Sequence, residues 1–72
     1  MESGIRTGQV WKSVYGAAHV AITRIDGTRI RLATVTVEGE TVRPYGREWW
    51  STASQLTKAY RLTSLALTEE QQ

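Results

Sequence analysis

An Asp-Gly pair inside a long strand-favouring stretch constrains the fold of this chain more than any other feature. Residues 17–37 are rich in β-branched side chains, and the stretch is broken only at Asp26-Gly27. Glycine adopts a positive φ without a steric penalty, so such a pair between alternating apolar residues predicts a β-hairpin. We expect a hairpin loop of three residues with a bulge, in which Arg24 pairs with Thr28.

The side chains of this hairpin alternate between apolar and polar. In the expected register Ile22 lies opposite Ile30 on one face, which is typical of an antiparallel sheet that buries one side. After Leu32 the apolar positions shift by one residue, beginning at Ala33. This shift predicts a β-bulge, which bends a strand so that a small sheet can curl closed.

The rest of the chain also favours strands. Val, Ile, Thr, Tyr and Trp make up 26 of its 72 residues, and these types suit a pleated sheet. A second tight turn at Glu38-Gly39 places Val42 opposite Val35, and Pro44 indicates a loop or kink at a sheet edge. The remaining predicted elements are strands at residues 8–12, 41–43, 47–51 and 59–63 and a helical turn at residues 52–58. This order predicts an all-β, SH3-like barrel of about five strands with one short helical turn before the last strand.

The length of the chain limits it to one small domain. Its 72 residues leave room for a single thin core. We expect an ordered barrel over about residues 8–64 and a polar tail over about residues 66–72. The predicted core residues are apolar and fall at inward positions. They are Val10, Val20, Ile22, Ile30, Leu32, Val35, Val42, Leu56 and Leu62.

Three short segments carry a resemblance to a known group of proteins. They are the Gly-Gln-Val-Trp opening at residues 8–11, the hairpin around Asp26-Gly27 and the closing Ala-Tyr-Arg-Leu at residues 59–62. Together they resemble the small SH3-like barrel proteins encoded by actinobacteria and their phages, over about residues 8–63. The resemblance implies the fold and transfers no activity. The chain departs from that group at Glu48-Trp49-Trp50, where alternating Arg and aliphatic residues are expected.

A second, helical interpretation applies to the end of the chain. Residues 52–63 resemble the first half of a helix-turn-helix, with Leu56 as its buried anchor. Arg61 occupies the position of the turn glycine, and residues 64–72 contain two glutamates and no basic residue. Phosphate would repel a recognition helix of that charge. The helix-turn-helix is therefore a minor alternative to the barrel.

The composition of the chain indicates the cellular compartment in which the protein acts. The chain contains no cysteine, which excludes a disulfide scaffold, a thiolate zinc site and a cysteine nucleophile and fits an intracellular protein. No apolar run approaches the roughly 18 residues that a membrane-spanning helix needs, and residues 1–6 lack the apolar core of a signal peptide. We expect a cytoplasmic protein without a membrane partner, located in the host cytoplasm if it is encoded by a phage.

The sequence offers few groups for catalysis. His19 is the only histidine, and it falls on the outward face of the expected hairpin, which is typical of an ordinary surface histidine. Glu38 and Glu40 flank a turn glycine, and a polar turn explains them better than a metal site does. No glycine-rich phosphate loop occurs. We expect no catalytic residue, no metal site and no cofactor, and therefore a protein that is not an enzyme.

Positive charge is concentrated in the body of the chain. Residues 3–68 contain nine basic and four acidic residues, a net charge of +5 that attracts polyanions. Arg29 and Arg31 point the same way from one strand, and Arg24 lies at the turn beside them. Each guanidinium presents a planar fork of donors that suits phosphate. The alternative is a solvated sheet face whose charges keep the protein soluble.

The adjacent tryptophans complete the candidate site. Neighbouring side chains of a strand alternate, so one tryptophan should fill the core and the other should lie exposed near Arg47. An exposed tryptophan stacks on a base or anchors a protein partner. The candidate nucleic-acid-binding residues are Arg24, Arg29, Arg31, Arg47, Trp49 and Trp50.

Two functions without catalysis follow from these residues. The first is weak and largely sequence-independent binding of a DNA or RNA backbone through the Arg-rich sheet face. The second is a protein–protein interaction module with exposed Trp and Tyr anchors, such as a phage accessory protein that acts on a host protein.

Overall fold

The computed structural model describes residues 4–67, which form one open antiparallel sheet and a short helix. The elements are β1 (Gln9–Ser13), β2 (His19–Asp26), β3 (Arg29–Glu38), β4 (Thr41–Thr52), α1 (Ala53–Ala59) and β5 (Tyr60–Ala66). The strand order is β4-β3-β2-β1-β5, and the sheet curls into a half-barrel. The predicted all-β fold, with five strands and a short helix before the last, is confirmed. No helix of residues 4–67 is long and apolar enough to cross a bilayer.

The C-terminal part of this fold decides between the two interpretations of the sequence. The predicted helical turn is α1, and its first turn is capped by Thr52, whose Oγ1 accepts a hydrogen bond from the Gln55 backbone N–H at 3.2 Å. A strand, β5, follows where a helix-turn-helix would place its turn and recognition helix. The helix-turn-helix alternative is therefore wrong.

The first hairpin turns where the sequence predicts, but with a shorter loop. Gly27 has a φ of +64° and forms a loop of two residues with Thr28, so that Asp26 pairs with Arg29. A two-residue loop with glycine at positive φ matches the right-handed twist of the flanking strands. The predicted loop of three residues, closed by Arg24, is wrong.

An extra residue in β2 sets which side chains share a face. Ile22 lies opposite Leu32, two residues from its predicted partner, while Arg24 lies opposite Arg31. Thr23 is thus a bulge in β2, and its hydroxyl donates to the Arg31 backbone carbonyl at 3.3 Å. Because of this bulge, Arg24 points to the same side of the sheet as Arg31.

The second hairpin leads into the edge strand β4. Gly39 has a φ of +64° at the predicted turn, and Val42 lies opposite Val37 rather than opposite Val35 as predicted. Pro44 pairs with Val35 within β4, which has one neighbouring strand, β3, in the described part of the chain. An edge position tolerates proline because one row of backbone groups there needs no partner.

Buried apolar clusters lie on both faces of the sheet. The first cluster lies on the side covered by α1, which we call the helical face, and consists of Trp11, Val20, Ile22, Ile30, Leu32 and Leu56. The second cluster consists of Val10, Ala21, Val35 and Val42. It lies on the opposite side, because Val10 and Trp11 are neighbours in β1 and point to opposite faces. Arg31 shares that side with Val35, and we call it the arginine face.

Burial in β3 changes from one face to the other along the strand. Ile30 and Leu32 are buried on the helical face, whereas Ala33 and Val35 are buried on the arginine face. This change accounts for the shift of the apolar pattern after Leu32. The predicted bulge in β3 is wrong, because the extra residues lie in the neighbouring strands β2 and β4.

Most of the predicted core is buried. The exception is Leu62, which is 51% exposed and lies in β5, an edge strand whose one neighbouring strand within residues 4–67 is β1. The predicted core set leaves out Trp11, Ala21 and Ala33, all of them buried, although Ala33 begins the shifted apolar positions. Strand β5 ends at residue 66, two residues beyond the predicted end of the ordered barrel at residue 64. Of the predicted tail, residues 68–72 lie outside the described part of the chain.

Candidate nucleic-acid interface

Trp50 ends a row of side chains on the arginine face. Arg24 in β2 lies opposite Arg31 in β3, and Arg31 lies opposite Trp50 in β4. Directly opposed residues of antiparallel strands point to the same side of the sheet, with Cβ atoms about 5 Å apart. The three side chains therefore stand next to one another across three strands.

Two guanidinium groups contact the indole ring of Trp50. The Cζ atom of Arg29 lies 4.5 Å from the ring centroid and that of Arg31 lies 5.7 Å from it, both within the range of a cation–π interaction. Trp50 is 39% exposed, so part of the residue remains in contact with solvent. We call Arg29, Arg31 and Trp50 together the Trp50 platform. Bases stack on surfaces of this kind, which combine an aromatic ring with guanidinium planes.

Two carboxylates lie beside the arginines. Asp26 Oδ2 accepts a hydrogen bond from Arg29 Nη2 at 3.2 Å, and Glu48 Oε1 lies 2.7 Å from Arg31 Nε. The second pair is an ionic contact without a hydrogen bond, because the buried Arg31 Nε has no acceptor in line with its N–H within residues 4–67. With Arg24 included, the five side chains carry a net charge of +1.

Arg24 differs from the two platform arginines. It is exposed, and no carboxylate within residues 4–67 pairs with it. Its charge is therefore not offset by a neighbour, which makes Arg24 the cation of this row that is most available to a phosphate.

Trp49 and Arg47 lie on the other side of the sheet. Trp49 alternates with Trp50 in β4 and packs against the first cluster on the helical face. Arg47 is exposed and lines a shallow pocket with Thr34 and Trp49. The prediction of one tryptophan packed on the core and one exposed is thus confirmed, with Trp49 partly buried and Trp50 exposed. The exposed tryptophan does not lie near Arg47 as predicted, because Arg47 is on the face of Trp49. The structure brings four of the predicted residues to one face, Arg24, Arg29, Arg31 and Trp50, and places Arg47 and Trp49 away from them.

The sequence reasoning misses both carboxylates of the site. The contact of Asp26 can be predicted from the sequence, because a two-residue loop places Asp26 opposite Arg29 at the start of the next strand. The contact of Glu48 cannot be predicted in this way. Its Cα partner is Ala33, and its contact with Arg31 is diagonal, so it depends on a β3–β4 register that the bulge in β4 determines.

The described residues hold no metal-binding cluster. No three His, Asp or Glu side chains of residues 4–67 lie close enough together to hold a metal ion. His19 is partly exposed in β2 and lies opposite Val35 and Lys12.

Comparison of the chain with protein-family models, with curated proteins and with solved structures finds no match. Function is therefore inferred from the geometry of the arginine face.

Proposed function

We propose that this protein is a non-enzymatic barrel module that binds nucleic acid weakly and with little sequence preference. Arg24, Arg29 and Arg31 contact phosphates, and Trp50 stacks on a base. The module acts in the cytoplasm. Its resemblance to the barrel proteins of actinobacteria and their phages supports an accessory role, which for a phage product lies in the host cell.

One observation carries the proposal: Trp50 keeps 39% of its surface exposed while two guanidinium groups lie over its ring. Every base has a π-face, so stacking on an aromatic ring and on arginine needs no particular sequence. The bases of a duplex already stack on one another. The platform therefore favours single strands.

The two carboxylates compete with phosphate but hold their arginines weakly. The side chains of both ion pairs are 39–59% exposed, and exposed pairs contribute only about 0–1 kcal/mol. A phosphate offers arginine charge-assisted and often bidentate hydrogen bonds in return. Displacing the carboxylates still has a cost, so we expect dissociation constants on the order of 10⁻⁴–10⁻⁶ M.

A salt titration tests the proposal. Fluorescence anisotropy of a labelled oligodeoxythymidine strand, and of a duplex of equal length, measures the affinity at several salt concentrations. Three phosphate contacts predict a slope of log affinity against log salt of about −2 for the single strand, at about −0.7 each. The absence of binding to either probe at low salt, where charge attraction is strongest, would overturn the proposal.

A protein partner is the second candidate, and the exposure of Tyr15 favours it. This side chain is 84% exposed in the turn between β1 and β2, and exposed aromatic residues anchor many protein interfaces. The barrel would then be an interaction module, for example a phage product that acts on a host protein through Tyr15 and Trp50. A pull-down with and without nuclease separates the candidates, since a protein partner is retained after nuclease treatment.

A further inference from the structure

A second row of basic side chains crosses the arginine face toward the other end of β2. Lys12 in β1 lies opposite His19 in β2 and opposite Arg61 in β5. Opposed residues share a face, so these three side chains form a row across three strands, which we call the Lys12 row. Lys12 alternates with Trp11 and therefore points to the same side as Val10, which is the arginine face.

No carboxylate neutralises this row within residues 4–67, where both ion pairs lie at the Trp50 platform. Lys12 Nζ donates to the Gly16 carbonyl at 3.0 Å. Arg61 Nη1 donates to the carbonyls of Thr57 and Tyr60, each at 3.0 Å. These carbonyl groups hold Lys12 at the turn between β1 and β2 and Arg61 at the C-terminal end of α1, and they do not cancel the charge of either cation. Both residues are exposed, so the charge faces solvent.

Two like charges directly opposite one another destabilise a sheet. An anion bound between Lys12 and Arg61 removes this repulsion. A phosphate group there receives the point charge of the lysine and the planar donors of the arginine together. The His19 ring provides a further hydrogen-bond donor at the end of the row.

We propose that the Lys12 row is a second phosphate-binding site for the same nucleic acid. Neighbouring strands are about 4.8 Å apart, so the row extends over about 10 Å and is wider than a single phosphate group. A chain of phosphates fits it better than a small phosphorylated molecule. His19 and Arg24 lie about 15 Å apart along β2. Ala21, between them on the same face, is buried in the second cluster, so a strand of several nucleotides that reaches both rows passes over the residues that cover this cluster. The inference rests on the proposed function and extends it, with bases on the Trp50 platform and backbone on the Lys12 row.

Removal of single charges tests this site. With the Lys12 row occupied, five phosphate contacts predict a wild-type slope of about −3.5 with the oligodeoxythymidine probe, where the three contacts of the arginine face alone predict about −2. Lys12→Gln and Arg61→Gln should each reduce the magnitude of this slope by about 0.7, and the double variant by about 1.4. Arg43→Gln is the matched control, because it removes an exposed charge of β4 that alternates with Val42 and so lies on the helical face. It should leave the slope at its wild-type value. Circular dichroism and melting temperature establish that each variant keeps the fold.

The result that overturns the site differs from the one that overturns the function. Wild-type slopes for both Lys12→Gln and Arg61→Gln, together with weaker binding by Trp50→Ala, remove the Lys12 row and leave the proposed function intact. No binding by the wild-type protein at low salt removes both. A reduced slope for the Lys12 row variants and an unchanged slope for Arg43→Gln support the site.

Discussion

The Arg29 guanidinium lies over the Trp50 ring, 4.5 Å from its centroid, although the two residues are not paired in the sheet. Arg29 lies opposite Thr52, and Trp50 lies opposite Arg31. The contact is therefore diagonal across the ladder between β3 and β4, a distance that only long or aromatic side chains bridge. Asp26 holds the same guanidinium through a hydrogen bond. The cation is thus positioned at the ring before any ligand binds.

Removal of the platform ring should weaken single-strand binding. Trp50→Ala is expected to lose about 1–3 kcal/mol of affinity, the usual contribution of one stacked base. Trp50→Phe keeps an aromatic face and should retain part of this affinity. Anisotropy with the oligodeoxythymidine probe measures both. Tyr15→Ala removes a more exposed aromatic residue at a distance from the platform and should bind like the wild type. An equal loss in that variant would argue for a wider, less specific surface.

Neutralising the carboxylate beside Arg31 should strengthen binding. Glu48→Gln raises the charge of the arginine face by one and frees the Arg31 guanidinium for phosphate, so tighter binding is expected at low salt. Because the two side chains of the pair are 42% and 39% exposed, the free energy of unfolding should change by less than about 1 kcal/mol. Glu38→Gln, at the far end of β3, controls for the change in net charge. Weaker binding by Glu48→Gln would mean that the carboxylate positions Arg31 instead of competing for it.

The two faces of the sheet predict different effects for two exposed arginines. Arg24→Gln should reduce the magnitude of the salt slope by about 0.7, because it removes a phosphate contact beside the platform. Arg47→Gln removes the same charge from the helical face and should leave the slope unchanged. Salt titrations of both variants measure the difference. Equal slopes for the two variants would show that binding depends on net charge and not on the arginine face.

Burial predicts opposite outcomes for two apolar residues of the predicted core. Ile30 is 2% exposed and belongs to the first cluster, so Ile30→Ala should cost about 2–4 kcal/mol through lost burial and a cavity. Leu62 is 51% exposed, and Leu62→Ala should cost under about 1 kcal/mol. Urea denaturation of both variants measures these values. A large loss for Leu62→Ala would show that something covers this side chain in solution.

The fold was readable because its signals are local. The turn at Gly27, the turn at Gly39 and the helical turn around Leu56 each depend on a few adjacent residues, and all three occur. The register between strands was not readable in the same way. The register between β2 and β3 depends on the bulge at Thr23, which lies between the Ile22–Leu32 pair and the Arg24–Arg31 pair. Packing on both faces of the sheet determines the position of that bulge.

The site was predictable in part for the same reason. Arg29 and Arg31 share a face because they are two positions apart on one strand. The exposed tryptophan beside them could not be identified, since alternation separates Trp49 from Trp50 without saying which of the two is buried. Leu32 decides it by lying opposite Trp49 on the helical face. The position of Glu48 next to Arg31 depends on the bulge in β4, and the local sequence pattern does not predict it.

Burial on two faces of β3 also restricts how the chain can align as it folds. A strand that buries one face keeps its apolar residues inside after a slip of two positions. In β3, a slip in one direction puts Thr34 in the place of Leu32 and buries a hydroxyl. A slip in the other direction brings Arg31 to the place of Ala33 and buries a charge, and both exchanges are costly without new partners. Misaligned hairpins are therefore penalised by β3 alone, before the rest of the sheet has formed.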